Sequence, residues 1–248
     1  MVARSCKILF FVAALAVLGG CEKKVDDGRL PTARAFPRAD RPFSKLAGNG
    51  FSSEAERDSV KEAQTVMGLA GIDKGMSVAD IGAGEGYYTI RLAQRVGKEG
   101  RVLAQDIDSD AVRALGLRVE RQRLDNVSIK LGAEDDPRLP PNSFDRIMLV
   151  HMYHEVSEPY AFLYRMRPAL RAGGRVVVVD LDRPTDRHGI PPALLFCEFE
   201  AVGFRLTDFV RKPQVQGYFA QFEASGKAPA PASIRPCRLA GSAPAAGS

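Results

Sequence analysis

Apolar positions recur along this chain with two periods, and the periods alternate. Residues 53–69 place Val60, Ala63, Val66 and Met67 at helical spacing and predict a helix. Residues 77–81 are a short apolar run that stops at glycines, which predicts a strand. Residues 87–96 return to helical spacing through Ile90, Leu92, Ala93 and Val96. The alternation continues with a strand at 101–107, a helix at 110–121 opened by Asp108, Ser109 and Asp110, and strands at 127–131 and 145–150. A helix near 159–170 is expected to stop at Gly173-Gly174. After it come a strand at 176–181, a helix at 191–202 and strands at 204–210 and 217–222. Strands separated by helices predict an α/β fold, a doubly wound and mostly parallel seven-stranded sheet with helices on both faces. The uninterrupted valines 176–179 fit a strand buried on both sides.

Periodicity fades outside residues 51–223, the expected domain. Residues 21–50 are polar and carry Pro and Arg, which predicts a flexible tether. Residues 224–248 are rich in Ala, Pro, Gly and Ser, which predicts a disordered tail. At the start, Arg4 and Lys7 precede an uncharged apolar run over residues 8–18. That run is too short to cross a bilayer as a helix, but it suits the core of a signal peptide over residues 1–20. Leu18-Gly19-Gly20-Cys21 follows and resembles the lipobox of bacterial lipoproteins. The resemblance implies that Cys21 is lipidated and anchors an exported, periplasmic-side protein to the membrane. Glu22 is similar to residues that permit outer-membrane sorting. Without a working lipobox the chain would be cytoplasmic.

Composition narrows the partners. Apolar residues make up 45% and charged residues 26%, enough for an ordinary core without metal or disulfide staples. The formal charge is +5, of which Arg4 and Lys7 contribute two. No dense Lys/Arg run occurs, so no nucleic-acid partner is expected. Of four cysteines, Cys197 lies in an apolar helical stretch and Cys237 in the tail. A bond between them is open in an oxidising compartment, and the spacing suggests no zinc site.

The richest chemistry lies in residues 78–88, where a strand runs into Asp80-x-Gly82-x-Gly84-x-Gly86 and then a helix. The glycines allow a sharp turn and close approach of a ligand to the backbone. The spacing differs from the G-x-G-x-x-G of pyrophosphate sites. An acid before the turn would repel a pyrophosphate and suit a cationic, amino-bearing ligand. The next strand ends in Asp106, at the position where doubly wound sheets bind ribose hydroxyls. Neighbouring Asp108 is read as a helix cap.

Residues 75–108, 141–156, 170–180 and 199–209 together resemble class I S-adenosylmethionine-dependent methyltransferases, whose fold is Rossmann-like. The resemblance implies S-adenosylmethionine as cofactor. Asp80 would hold its amino group, directly or through water. Gly82, Gly84 and Gly86 would line its methionine and ribose, and Asp106 and Ile107 would meet the ribose. The acid that usually faces the adenine amino group is replaced by Ala133, so Glu134 or Asp135 takes that expectation, against the reading of a solvated acidic loop. Tyr87 is a candidate cover for the ligand, with core packing as its alternative.

His151-Met152-Tyr153-His154-Glu155 follows the fourth strand, at the edge where open α/β sheets bind ligands. His151 is a candidate cofactor contact. His154 is a candidate general base oriented by Glu155, with structural hydrogen bonding as the alternative and a His-x-x-His-Glu metal site as a third. His188 lies in a polar loop that suits a lid or a plain surface position. The expected reaction is methyl transfer to a small-molecule acceptor. An exported non-catalytic nucleoside- or partner-binding domain and a protein carboxyl methyltransferase are the alternatives.

Overall fold

A computed structural model describes residues 27–45, 53–212 and 217–238. The signal-peptide and Cys21 expectations lie outside the described residues. Among the described residues, no helix is long and apolar enough to cross a membrane.

The seven strands are β1 Ser77–Ile81, β2 Arg101–Asp106, β3 Val127–Leu131, β4 Phe144–Val150, β5 Leu170–Asp180, β6 Phe204–Lys212 and β7 Gly217–Ala224. They form one sheet in the order β3-β2-β1-β4-β5-β7-β6. All pairs are parallel except those made by β7, which runs antiparallel to β5 and β6. The helices are α1 Glu54–Ser59, α2 Glu62–Leu69, α3 Tyr87–Val96, α4 Ser109–Arg121, α5 Pro159–Met166 and α6 Pro192–Ala201.

Alternate side chains of the sheet feed two cores. Ile147, Leu149, Val176 and Val178 pack with Tyr160, Leu163 and Phe199 on one face. Val78, Met148, Val177 and Val179 pack with Val66 and Leu92 on the other. Each fully buried aliphatic or aromatic side chain stabilises the fold by roughly 1.5–3 kcal/mol of transfer free energy. These two layers hold the carboxyl ends of β1, β2 and β4 side by side.

Four expectations are corrected. The single helix over 53–69 is two, because Lys61 adopts a left-handed φ of 55° between them. The break leaves Val60 exposed and turns the Glu62 carboxylate inward, where it accepts from Arg57 and from the Tyr88 hydroxyl. Gly173-Gly174 does not stop a helix. α5 ends at Met166, a 3-10 turn follows, and the glycines sit inside β5 where its register against β4 shifts.

The tether expectation fails over residues 27–45, which lie against the domain. Ala33 and Phe36 are buried, Arg29 pairs with Glu158 at 2.6 Å, and Arg41 pairs with the buried Glu198 at 2.7 Å. The disordered-tail expectation fails as far as Arg238. Ile234 and Cys237 are buried, and Cys237 forms a disulfide with Cys197 of α6. In both segments a few anchors, spaced without period, replace the continuous apolar face that marks a helix or strand.

Candidate active site

The strand ends open onto a cavity of about 530 Å³, within the range of small-molecule sites. It lies where the sheet order reverses, beside β1, which has β2 on one side and β4 on the other. Gly82 and Gly84 line it from the loop after β1, Asp106 and Ile107 from the end of β2, and His151, Met152 and Glu155 from the segment after β4. The Asp106 carboxylate is built in. One oxygen accepts the Gly84 N–H at 2.8 Å and the other accepts the Asp108 N–H at 3.0 Å. Asp108 caps α4, accepting from the N–H groups of Asp110 and Ala111. A side chain at Gly84 would project into open space, so this backbone is uncovered toward the cavity.

The other expected contacts divide. Glu134 lines the cavity next to Ala133, whereas Asp135 does not. Asp135 turns away and accepts from Thr32 at 2.6 Å and from Arg165 at 2.5 Å. Burial by itself would raise its carboxyl, but those two hydrogen bonds outweigh it and hold the group below its ordinary value. Tyr87 is also away from the cavity. Its hydroxyl donates to Asp58, and the guanidinium groups of Arg57 and Arg91 each lie 3.8 Å from its ring centroid. Tyr87 therefore fastens α1 to α3. Gly86 serves the packing of α4, because at its φ of 87° a Cβ would stand 2.3 Å from Leu115 Cδ1.

Asp80 stands behind the glycine turn, only 3% exposed, and is absent from the cavity wall. It accepts the Thr89 hydroxyl at 2.6 Å. Burial pushes its carboxyl up to about 6, against the opposing hydrogen bond from Thr89. The two strand-tip carboxylates are thus unequal: Asp106 faces the cavity directly, and Asp80 supports the turn from within.

A family model described as a methyltransferase domain matches residues 72–195, half of the chain. The chain belongs to the methyltransferase-domain family. A ubiquinone/menaquinone biosynthesis C-methyltransferase (UbiE) of Pseudoalteromonas translucida is 32% identical over 46% of this chain and 46% of its own length. A demethylmenaquinone methyltransferase of Listeria welshimeri is 27% identical over 50% of this chain and 53% of its own length. The chain spans about half the length of the curated relatives it matches. A solved S-adenosylmethionine-dependent methyltransferase from Aquifex aeolicus has the same fold, with a TM-score of 0.59 and 22% identity over 69% of this chain and 97% of that one.

The methyltransferase-domain family and the fold imply S-adenosylmethionine as the cofactor. The residues present fit it. Asp106 offers an acceptor at the strand tip, and Gly84 leaves the backbone open. The buried Gln105 Oε1, on a cavity-lining residue, has no protein hydrogen-bond partner among the described residues.

The folded chain arranges its histidines otherwise than their order in sequence suggests. His154 is fully buried, and its Nδ1 lies 2.9 and 3.0 Å from the two carboxylate oxygens of Asp180 at the end of β5. Asp180, not Glu155, therefore orients His154, and Glu155 lies 3.9 Å from its Nε2. His151 does line the cavity, and burial holds its imidazole below the usual histidine range, with Glu62 pulling the other way. His188 is half-buried, and its ring packs edge-on against His154 with centroids 5.6 Å apart.

Sequence reasoning missed Phe43, Ser44 and Lys45, which line the cavity from the segment read as a tether. Ser44 is pinned there by donating its hydroxyl to the Thr185 carbonyl at 2.7 Å. No local signal marks that role, because the partner lies 141 positions away. Gln105 was legible in principle as the neighbour of Asp106.

Proposed function

We propose that this methyltransferase transfers a methyl group to a small-molecule acceptor bound in the same cavity, from an exported, lipid-anchored position. The observation that carries the catalytic part is the Asp106 carboxylate, locked to the Gly84 N–H and facing a cavity of ligand size. When bound, S-adenosylmethionine supplies a methyl group already activated by the positive sulfur. The chain's own work is then binding, alignment and exclusion of water.

In this reading Asp106 accepts the ribose hydroxyls, with Ile107 beside it. Gly82 and Gly84 admit the methionine part, and Asp80 supports the turn and reaches the amino group through water. Ala133 leaves room for the adenine, and Glu134 faces its amino group. His151 and Glu155 line the acceptor end with Phe43, Met152 and Val156. His151, kept neutral by burial, is suited to accept an acceptor proton.

The apolar walls suit a ring-bearing acceptor, and the curated relatives are named for quinone biosynthesis. A quinone-type ring is therefore the first acceptor class to try. The exported location is supported by the Cys197–Cys237 disulfide, a bond that persists in oxidising compartments.

Incubating the purified protein with methyl-labelled donor and a cell-lysate extract should move label into an organic-soluble fraction. Failure of both that transfer and calorimetric binding of S-adenosylhomocysteine would overturn the catalytic reading. Labelling cells with a palmitate analogue should mark Cys21; an unlabelled wild-type protein would remove the lipid anchor from it.

A further inference from the structure

We propose that His154, Glu155 and His188 form a binding site for one divalent transition-metal ion of the zinc class, set in the wall at the acceptor end of the cavity. This goes beyond methyl transfer, and its test does not depend on that reaction. One ligand atom from each of the three side chains lies within 4.8 Å of the others. Their separation in sequence hides the grouping. The chain-order motif pairs His154 with His151, but His151 is directed to Glu62, with Nε2 3.8 Å from that carboxylate. His188 takes the place His151 would have filled.

Two features show a built arrangement. The first is the carboxylate behind His154. With Nδ1 of the ring donating to the fully buried Asp180, Nε2 is the nitrogen on the Glu155 side, 3.9 Å from that carboxylate. A carboxylate holding the far nitrogen of a histidine is the common outer-shell device of metal sites. The second is the fixing of His188. It follows the 3-10 turn Thr185–Arg187 in a left-handed conformation with φ of 53°. Its N–H donates to Ser44 Oγ at 2.9 Å, and the same hydroxyl donates to the Thr185 carbonyl. A non-glycine residue in that conformation is uncommon and is held by its surroundings. Here the loop and the 27–45 segment together set the ring against His154.

The donor set decides the class of ion. Two imidazole nitrogens and one carboxylate suit zinc or ferrous iron, whereas calcium and magnesium take oxygen ligands. Three protein ligands leave a position open. Glu155 lines the cavity while His154 and His188 stand behind it, so the ion would sit in the wall between the cavity and Asp180. Its open position would hold an oxygen of the acceptor and polarise it.

Cobalt(II) is the probe, because its visible absorption bands report its coordination. Titrating it into the metal-stripped full chain should give saturating bands at one equivalent, and zinc should displace them. His188→Gln should abolish the bands, Glu155→Gln should weaken binding at least ~10-fold, and His151→Gln should keep them. Thermal melts of the metal-free variants guard against unfolding, and Glu155→Gln, on the cavity wall, serves if His188→Gln does not fold. Absence of bands from the wild type, or bands that survive both His188→Gln and Glu155→Gln, would overturn the site. Calorimetry with S-adenosylhomocysteine on the same samples reads the methyltransferase assignment separately, so that either can fail alone.

Discussion

The Asp106 carboxylate and the Gly84 N–H meet at 2.8 Å, which ties the tip of β2 to the glycine turn after β1. The same carboxylate is the proposed ribose acceptor, so one group shapes the turn and would also read the ligand. Asp106→Ala should weaken S-adenosylhomocysteine binding by more than ~1 kcal/mol, the scale of a lost charge-assisted hydrogen bond. Asp106→Asn keeps an oxygen for Gly84 and should lose less. Calorimetry on both variants checks the order; equal affinity of Asp106→Ala and wild type would remove Asp106 from the binding site.

Asp80 gives the fold a pH dependence of definite sign. Its carboxyl titrates near 6 in the native state, above the ordinary 3.8, because burial disfavours the charge. The neutral form is the one the native state prefers. That advantage is full below about pH 4 and is lost as pH rises toward 6, leaving a constant penalty on the order of 3 kcal/mol above it. Asp80→Asn keeps a neutral acceptor for Thr89. Its stability should match wild type near pH 4 and exceed it at pH 7. Urea midpoints at the two pH values measure this, and a gap independent of pH would refute it.

The 27–45 segment is held by a buried ion pair. Arg41 and Glu198 have side chains 3% and 1% exposed, and Glu198 also accepts the Tyr153 hydroxyl at 2.7 Å. Arg41→Met should destabilise the protein by about 3–5 kcal/mol, because the glutamate charge stays buried with no counter-charge. Arg41→Met combined with Glu198→Gln should recover a substantial part of that loss. Chemical denaturation of the three proteins checks it; additive losses would show that the two residues act independently.

The disulfide closes a long loop, since Cys197 and Cys237 are 40 positions apart. On the chain-entropy account a loop of that length stabilises by roughly 4 kcal/mol. Replacing both cysteines with serine, or reducing the bond, should therefore lower the unfolding midpoint markedly. A melt unchanged by reductant would mean that the tail contributes little to the fold.

Much of the architecture was legible along the chain, because a sheet buried on both faces forces its strands to be apolar throughout, as in valines 176–179. The glycine turn and Asp106 were legible for a related reason: strand, turn and helix are consecutive, so their spacing carries the geometry. Asp135 and Tyr87 were misplaced because an acid and a tyrosine beside a cavity can turn either way. The partners that turned them, Arg165 and Thr32 for one and Asp58 for the other, come from distant parts of the chain.

The sequence by itself determined the class of fold, the edge of the sheet where the cavity opens, and the acid at the tip of β2. These depend on hydrophobic period and on contacts between near neighbours. Tertiary structure alone decided that residues 27–45 and the stretch to Arg238 pack on the domain, that Asp180 orients His154, and that the His188 ring packs against it. Those contacts join groups far apart in the chain, and a long-range ion pair or ring contact leaves no periodic trace in the residues that make it.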